Sequence, residues 1–222
     1  MVPRAIDTEA VRALVDDGAQ VIEVLPESAW RREHLPGAIN IALPMLRADA
    51  VSELDPGAPT VVYCYDHECD LSARGAALLE SFGFTDVYDY VASKTAWLGE
   101  GLPSEGDVHT EDRAGARVRP APTCCADATI GDIAGLLADD ATEVVVVVDE
   151  RDIVLGALHP RAAALPPDTP VLTAADPGPA SVRPAITRFE LANSMDDRGQ
   201  HHVIVSTSHG RLLGVVRRSD LG

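Results

Sequence analysis

The 222-residue sequence is poor in positive charge and has no long apolar segment. Its 18 basic residues, of which only Lys94 is a lysine, stand against 35 acidic ones and give a net charge of −17. Nucleic acids and anionic membranes are bound through Lys and Arg, so this balance argues against both as partners. No apolar run approaches the roughly 18 residues that a membrane span needs. The start of the chain also lacks the pattern of an export signal, and we therefore expect a cytoplasmic protein.

Cysteine is also scarce, and its spacing excludes a disulfide framework. The four cysteines form two local pairs, Cys64 with Cys69 and Cys124 with Cys125. Disulfide frameworks have their cysteines spaced along the chain, and two local pairs lack that spacing. We therefore expect free thiols in a reducing compartment, and Cys64 and Cys69 share one polar loop.

Length and charge distribution predict two domains. A chain of this length is sufficient for two compact domains of about 100 residues each. Residues 1–110 carry 7 basic and 19 acidic side chains, and residues 111–222 carry 11 and 16, so the net charges are −12 and −5. Between them lies a charged, Pro- and Gly-rich stretch without periodicity. We predict a first domain over 1–105, a linker over 106–116 and a second domain over 117–222.

The first domain alternates strand and helix patterns. "TVVYC" at 60–64 is β-branched and apolar, as a buried parallel strand is, and "LSARGAALLESFG" at 71–83 has a helical pattern that ends at a glycine. This alternation predicts an α/β fold with a doubly wound, parallel, five-stranded sheet. Active sites of such sheets lie beyond the carboxyl ends of the strands, where the loop at 65–70 falls.

The second domain contains an internal repeat with an offset of 58 residues. Without a gap, Thr123 aligns with Ser181, and Gly156 aligns with Gly214. Each copy has the order strand, helix, strand, strand, and one such unit cannot bury its apolar face alone. We predict two βαββ units, copy 1 at 117–165 and copy 2 at 171–222, related by a pseudo-twofold axis.

Two segments of the first domain resemble the signatures of rhodanese-like sulfurtransferase domains. They are "VIEVLPESAWRREHLPGAINIAL" and "VVYCYDHECDLSARGAALLESFGFTDVYDYVASKTAWLGEGLP". The resemblance implies a rhodanese-like sheet in which Cys64 is the nucleophile that forms a persulfide and Ser72 caps the helix and lines the pocket. It implies a sulfur donor and acceptor that are small molecules or protein persulfides, and no required cofactor. The substrate loop would comprise Tyr65, Asp66, His67, Glu68, Asp70 and Leu71.

The loop departs from the family pattern in charge. Family loops close with Arg-Ser or Arg-Thr, whereas Leu71-Ser72 stands at that point and seven residues separate Cys64 from Ser72. Asp66, Glu68 and Asp70 add negative charge, which repels a dianion such as thiosulfate and raises a thiol pKa. A neutral or protein-borne persulfide is therefore the donor we expect.

Loop amides and the second thiol are the remaining features of this loop. A thiol at the end of a strand, ahead of a helix N-terminus, lies where inward-facing loop amides stabilise a thiolate. We therefore expect several amides to face the Cys64 sulfur. Cys69 is either a resolving thiol that attacks the persulfide or a loop residue without a role. Cys64, His67 and Cys69 form too small a ligand set to predict a metal site.

The repeat resembles a tandem pair of CBS domains, a Bateman module. The resemblance is carried by "GPASVRP" and "HHVIVSTSHGRLLGVVRRSDL". It implies an adenine nucleotide (AMP, ADP or ATP) as regulatory ligand, bound in copy 2 by Ser181, Arg217 and Asp220, and a homodimer formed through the pair. Copy 1 has His159 and Ala162 at the positions of Arg217 and Asp220, and it is predicted to bind no nucleotide.

Two functions from different classes remain open at this point. The retained Cys64 favours a sulfurtransferase regulated by nucleotide binding. The missing arginine favours a catalytically inactive scaffold that senses nucleotide and binds a partner protein.

Overall fold

A computed structural model describes residues 4–108, 112–139 and 143–222. The chain divides into two compact units, Met1–Thr110 and Glu111–Gly222. Each unit is described by itself. Within the described residues, no helix is both long enough and apolar enough to cross a membrane.

Among its described residues, the first unit contains five strands, four α-helices and a 3₁₀ helix at Leu43–Met45. Its strands are β1 (Arg4–Ala5), β2 (Gln20–Glu23), β3 (Ile39–Asn40), β4 (Thr60–Tyr63) and β5 (Val87–Tyr90). Its helices are α1 (Thr8–Asp16), α2 (Glu27–Arg32), α3 (Leu71–Ser81) and α4 (Ser93–Gly99).

These strands form one sheet in the order β1-β5-β4-β2-β3, and every pairing is parallel. This confirms the predicted five-stranded parallel sheet. The strands β4 and β5 are buried along their whole length, as expected for central strands covered on both faces.

Alternate residues of the strands face two separate apolar cores. Ile22, Val62 and Val87 face a core that α3 covers, through Ala76 and Leu79. The opposite face holds a second core, which contains Val21, Val61, Tyr63, Tyr88, Tyr90 and Trp97. Because side chains alternate along a strand, neighbouring residues of β5 belong to different cores. Asp89 lies between Tyr88 and Tyr90 and therefore points to the α3 face.

The second unit contains two three-stranded sheets, one from each copy of the repeat. Copy 1 has β6 (Thr123–Cys125), α5 (Ala134–Leu137), β7 (Val145–Val148) and β8 (Val154–Leu158). A short helix α6 (Val171–Ala174) follows. Copy 2 has β9 (Ser181–Val182), α7 (Arg188–Arg198), β10 (His202–Ser206) and β11 (Leu212–Arg217).

The two sheets have the same hydrogen-bond register at the 58-residue offset. Thr123 pairs with Val146 in copy 1, and Ser181 pairs with Ile204 in copy 2. In each copy, the first strand pairs in parallel with the second, and the second strand pairs antiparallel with the third. The register of the antiparallel pair shifts before the last residue of β7 and of β10. The two predicted βαββ units are therefore confirmed. Their helices differ, since α5 covers four residues and α7 covers eleven.

Contacts between the copies have the pattern that a pseudo-twofold axis requires. Ile153 pairs with Arg211, its own equivalent in the other copy. The flanking hydrogen bonds are reciprocal: the amide of Val154 donates to the Gly210 carbonyl at 3.1 Å, and that of Leu212 donates to the Asp152 carbonyl at 2.9 Å. A shared core of residues from both copies completes the module.

The stretch predicted as a linker makes tertiary hydrogen bonds at both ends. In the first unit, the amides of Asp107 and Val108 donate to the Arg31 and Arg32 carbonyls at 2.8 and 3.1 Å. In the second unit, Ala114 is buried and its amide donates to the Ile186 carbonyl at 2.9 Å. Residues 109–111 lie outside the described part of the chain.

Candidate functional site

Cys64 follows the last residue of β4 directly, and its side chain is fully buried. Its backbone amide donates to Ser93 Oγ at 3.0 Å, and its carbonyl accepts from the Lys94 amide at 3.4 Å. The strand end is thereby fixed to the start of α4. This position, at the carboxyl edge of a parallel sheet, is the one that the sequence predicts for the nucleophile.

The Cys64 thiol faces oxygen atoms. Its sulfur lies 3.3 Å from the Cys69 carbonyl oxygen and 3.8 Å from that of Asp66. The hydroxyls of Ser72 and Ser93 lie 3.4 and 3.6 Å from the sulfur. The prediction that Ser72 caps the helix is wrong, because α3 begins at Leu71 and Asp70 occupies the N-cap position.

Over 65–72, which the structure describes without a gap, no loop amide donates a hydrogen bond to the Cys64 sulfur. The expectation that several amides face this sulfur is therefore wrong for this conformation. The reason is the geometry of the turn, in which the Cys69 amide donates to the Asp66 carbonyl and its own carbonyl is turned toward the thiol. A neutral Cys64 thiol can donate its one proton to one of these carbonyls, whereas a thiolate there can only accept hydrogen bonds and needs the hydroxyls.

Cys69 lies beside Cys64 and is more accessible. Its side chain packs against the edge of the α3-side core. Burial and the neighbouring Cys64 thiol raise the pKa of Cys69, while the amides of Leu71 and Tyr65 oppose that rise. Sequence spacing alone could not show the orientation of the loop, because it does not say which way a backbone amide or carbonyl points.

The charged residues of the loop point to solvent. Tyr65, His67, Glu68 and Asp70 are exposed, and Asp66 is half-buried, where its carboxylate accepts from the Glu68 amide at 3.1 Å. None of the predicted acids approaches the thiol through a side-chain contact among the described residues. In the described part of the chain there is also no group of three His, Cys, Asp or Glu side chains arranged to hold a metal ion.

Ser93 and Lys94 support the end of β4 at Cys64, and the sequence did not predict their part in this site. Ser93 has φ of 57°, a left-handed conformation that is costly for a residue with a side chain. Its hydroxyl is oriented by donating to the Tyr90 carbonyl at 2.8 Å. Lys94 holds the segment in place, since its Nζ lies 2.7 Å from the buried Glu23 carboxylate. In the sequence, the indication of a special role for Lys94 was that it is the single lysine of the chain.

With this geometry established, comparison with known proteins assigns the first unit. A family model of the rhodanese-like domain matches residues 7–100. The thiosulfate sulfurtransferase GlpE of Pseudomonas syringae pv. syringae (strain B728a) is 32% identical over 94 residues, which are 42% of this chain and 86% of GlpE. The chain belongs to the rhodanese-like family. In this rhodanese-like protein, a family model of the CBS domain also matches residues 174–221, which lie in copy 2.

Solved structures resemble each unit of this rhodanese-like protein. The rhodanese-like domain of Alr3790 from Anabaena is 26% identical, with a TM-score of 0.37 over 40% of this chain and 99% of that one. The CBS domains of a transcriptional regulator from Streptococcus pneumoniae are 21% identical, with a TM-score of 0.45 over 49% of this chain and 95% of that one.

Two cavities among the described residues of the second unit lie at equivalent places in its two copies. The larger has a volume of about 360 Å³, and its walls include His159, Asp176, Ala180, His201 and His202. The smaller has a volume of about 90 Å³ and is lined by Arg119, Pro122, Glu143 and Arg217, among others.

The predicted nucleotide residues Ser181, Arg217 and Asp220 do not converge on one cavity. Arg217 lines the smaller cavity, whereas the chain just before Ser181 lines the larger one. The Asp220 carboxylate is already bound, since Nε and a terminal nitrogen of Arg119 donate to it at 2.8 and 2.6 Å. The nucleotide site formed by these three residues therefore stays a prediction, and Arg119 is the partner that the structure gives Asp220. Segments are exchanged between the copies, which places the chain around Arg119 against β11, in a bridge with Val215.

The larger cavity contains a histidine cluster. The rings of His159 and His202 lie 5.6 Å apart, and His201 also lines the wall. Burial lowers the pKa of His202, and the nearby Glu143 carboxylate partly opposes this. Copy 1 is predicted to bind no nucleotide because of Ala162, yet it contributes His159 to the wall of the larger cavity.

Proposed function

We propose that this protein is a sulfurtransferase in which Cys64 accepts sulfane sulfur as a persulfide and passes it to an acceptor. The observation that carries the proposal is the placement of Cys64 at the end of β4 with two hydroxyls within 3.6 Å of its sulfur. Membership of the rhodanese-like family supports the same chemistry. The reaction with a donor R–S–SH gives R–SH and the Cys64 persulfide, and no cofactor is required.

We propose a neutral or protein-borne persulfide as the donor. GlpE proteins are named thiosulfate sulfurtransferases. Here, however, the loop lacks the arginine and exposes Glu68 and Asp70, so a dianionic donor meets repulsion. A persulfide donor should label Cys64 faster than thiosulfate does, and raising the salt concentration should narrow the difference by screening.

Mass spectrometry after treatment with a persulfide donor tests the proposal. We expect a mass increase of one sulfur atom on Cys64, and its complete loss in Cys64→Ser. Cys125→Ser is the matched control, since this exposed thiol belongs to the other unit. An adduct that survives Cys64→Ser contradicts the assignment of the nucleophile.

Cys69 is proposed to resolve the persulfide. Attack of its thiolate on the inner sulfur of the Cys64 persulfide forms the Cys64–Cys69 disulfide and releases hydrosulfide, so sulfur and electrons balance. Cys69→Ser should therefore keep the adduct and lengthen its lifetime. An unchanged lifetime would leave Cys69 as a loop residue without a role.

The inactive scaffold is the second candidate, and one observation favours it. Cys64 is 0% exposed, so a donor reaches it only after the loop 65–70 opens. If Cys64 neither alkylates nor takes sulfur in the folded protein, a partner-binding role for the unit replaces the enzymatic one.

We further propose that the second unit binds one adenine nucleotide per chain, in the larger cavity. A volume of about 360 Å³ lies within the usual range for ligand sites of about 300–1,000 Å³, and 90 Å³ lies below it. Calorimetry with AMP and ATP should give one site that His202→Ala weakens and Asp220→Ala changes little. The reverse ranking would place the nucleotide beside Asp220. A homodimer formed through this unit is also proposed, and sedimentation measures it.

A further inference from the structure

The larger cavity of the second unit can offer positive charge to a ligand only through histidine. His159, His201 and His202 lie in its wall, and the described residues that line it include neither arginine nor lysine. A phosphate monoester carries a charge of about −1.5 to −2 at neutral pH. A phosphorylated ligand in this cavity therefore has these three imidazoles as its possible cationic partners.

The two sheets of the unit hold the histidines in place. His159 follows β8 directly, and His202 is the first residue of β10, where it pairs with Arg217 of β11. The carbonyl of His201 accepts from the Arg218 amide at 2.7 Å. The ring centroids of His159 and His202 lie 5.6 Å apart, so one imidazole from each copy of the repeat meets the other across the cavity.

The carboxylates around the cluster oppose an anion. Asp176 lines the same cavity, and its carboxylate accepts from the Gly178 amide at 2.9 Å. The Glu143 carboxylate, which precedes β7, lies 3.7 Å from Nδ1 of His202. While the histidines are neutral, these carboxylates give the surroundings of the cavity a negative charge, and a phosphate group is repelled.

The nearby arginines already have carboxylate partners. Arg119 and Arg217 line the smaller cavity, which shares His202 with the larger one. Arg119 binds the Asp220 carboxylate through two nitrogens, and Nε of Arg217 lies 3.6 Å from the Glu143 carboxylate. Protonation of the imidazoles is therefore the change that makes the larger cavity attractive to a phosphate group.

We propose that His159, His201 and His202 form the phosphate-binding part of the larger cavity, and that binding of a nucleotide there takes up a proton. The proposal deepens the proposed function, because it rests on the nucleotide occupying this cavity. The proton comes from solvent and is bound at an imidazole nitrogen, and no covalent bond between heavy atoms forms or breaks.

The free protein keeps these imidazoles ready to be protonated. Burial lowers the pKa of His202, and the Glu143 carboxylate partly opposes this, while the neighbouring histidines and Arg217 lower it further. An ordinary histidine has a pKa of about 6.5, so the free ring is neutral above that pH. A bound phosphate dianion favours the charged form and raises the same pKa.

The sign of the pH dependence follows from these two states. The pKa of the cluster is higher in the complex than in the free protein, so the complex binds more protons. Affinity is constant below the pKa of the free protein, falls as the pH rises toward the pKa of the complex, and is constant again above it. Nucleotide binding should therefore weaken as the pH increases from 7 to 8.

Calorimetry with AMP and adenosine tests the proposal. The second pKa of a phosphate monoester is about 6, so AMP stays a dianion from pH 7 to 8. We expect the Kd of AMP to rise about three- to tenfold over this unit of pH, and the Kd of adenosine, which lacks the phosphate, to stay constant. Repeating the AMP titration in two buffers of different ionisation enthalpy counts the protons, and we expect an uptake of about 0.5–1 at pH 7.

Variants of the cluster locate the proton. His202→Gln and His159→Gln should each weaken AMP binding at pH 7 and reduce the proton uptake, and the double variant should abolish the uptake. None of them should change the Kd of adenosine by as large a factor. His209→Gln is the matched control, because it makes the same substitution at an exposed histidine of this unit that does not line the cavity, and it should keep both the affinity and the pH dependence.

The outcomes separate this proposal from the nucleotide site itself, with inorganic pyrophosphate as a second probe. AMP binding without proton uptake, or uptake that persists in the double variant, overturns the histidine assignment and keeps the nucleotide site. Proton-coupled binding of pyrophosphate without binding of AMP or adenosine keeps the histidine cluster as an anion site and overturns the nucleotide. Absence of binding by all three probes overturns both.

Discussion

The strands β2 and β5 of the first unit each bury a carboxylate, on opposite faces of the sheet, and the surroundings of the two carboxylates differ. On one face, Glu23 is fully buried and bound on both oxygens: Lys94 Nζ lies 2.7 Å from Oε1, and the Tyr63 hydroxyl donates to Oε2 at 2.5 Å. On the other face, Asp89 is 5% exposed, and its Oδ1 has no hydrogen-bond partner among the described residues.

The difference separates a carboxylate with a full set of partners from one with an incomplete set. A buried carboxylate with a full set of partners is stable in its ionised form. Removing one partner leaves an uncompensated buried charge, which destabilises the fold. A buried carboxylate with a partial set is ready to accept a proton. Ser93 and Lys94, adjacent in sequence, connect the two systems, because one contacts Cys64 and the other contacts Glu23.

Lys94→Met should cause the largest loss of stability. It leaves Glu23 buried and unpaired, for which about 3–5 kcal/mol is typical. Urea denaturation measures the change. The double variant Lys94→Met with Glu23→Gln removes both charges and should recover part of the loss. If Lys94→Met is as stable as the unmodified protein, Lys94 does not compensate the buried charge of Glu23, and the contrast with Asp89 fails.

Tyr63→Phe should rank second. It leaves Glu23 Oε2 without its donor and also removes the acceptor of the Leu35 amide, which lies 3.0 Å from the hydroxyl. Each unsatisfied buried group costs about 1–3 kcal/mol. Burial, together with the Glu23 charge, raises the pKa of Tyr63, so its hydroxyl stays protonated as a donor. Thr60, whose hydroxyl lies on the same strand, gives a matched control as Thr60→Val.

Asp89→Asn should increase stability, by less than either loss above. Its folded pKa lies above the unfolded value because of burial, so ionisation destabilises the fold. The gain should be absent below the unfolded pKa of about 4, grow as the pH rises through the folded pKa, and then stay constant. Denaturation at pH 4 and at pH 8 measures it. A variant that is less stable at pH 8 would show that the carboxylate is compensated after all.

Ser93→Gly should have the smallest effect on stability. Glycine relieves the left-handed strain at φ of 57°, which is worth about 1–2 kcal/mol. It also removes the acceptor of the buried Cys64 amide, at a similar cost of about 1–3 kcal/mol. The net change in unfolding free energy should be small, while the persulfide chemistry of Cys64 should be impaired. A large destabilisation would show that Ser93 holds the two faces together.

The sequence alone determined the parallel sheet, the two βαββ copies and the position of Cys64 at the end of a buried strand. These follow from local periodicity, from a 58-residue repeat and from two family signatures that span the first domain. Hydrophobic alternation fixes which side chains are buried, and it does so before any long-range contact is known.

Only the tertiary structure decided the environment of each site. Asp89 follows Cys64 by 25 residues and comes near it because β5 and β4 are neighbours in the sheet. Arg119 reaches Asp220 because segments are exchanged between the copies, which a sequence repeat does not reveal. The direction of the loop carbonyls at Cys64 depends on backbone angles that many sequences tolerate. Side-chain contacts between distant segments are set by strand order and packing, and neither has a local pattern in the sequence.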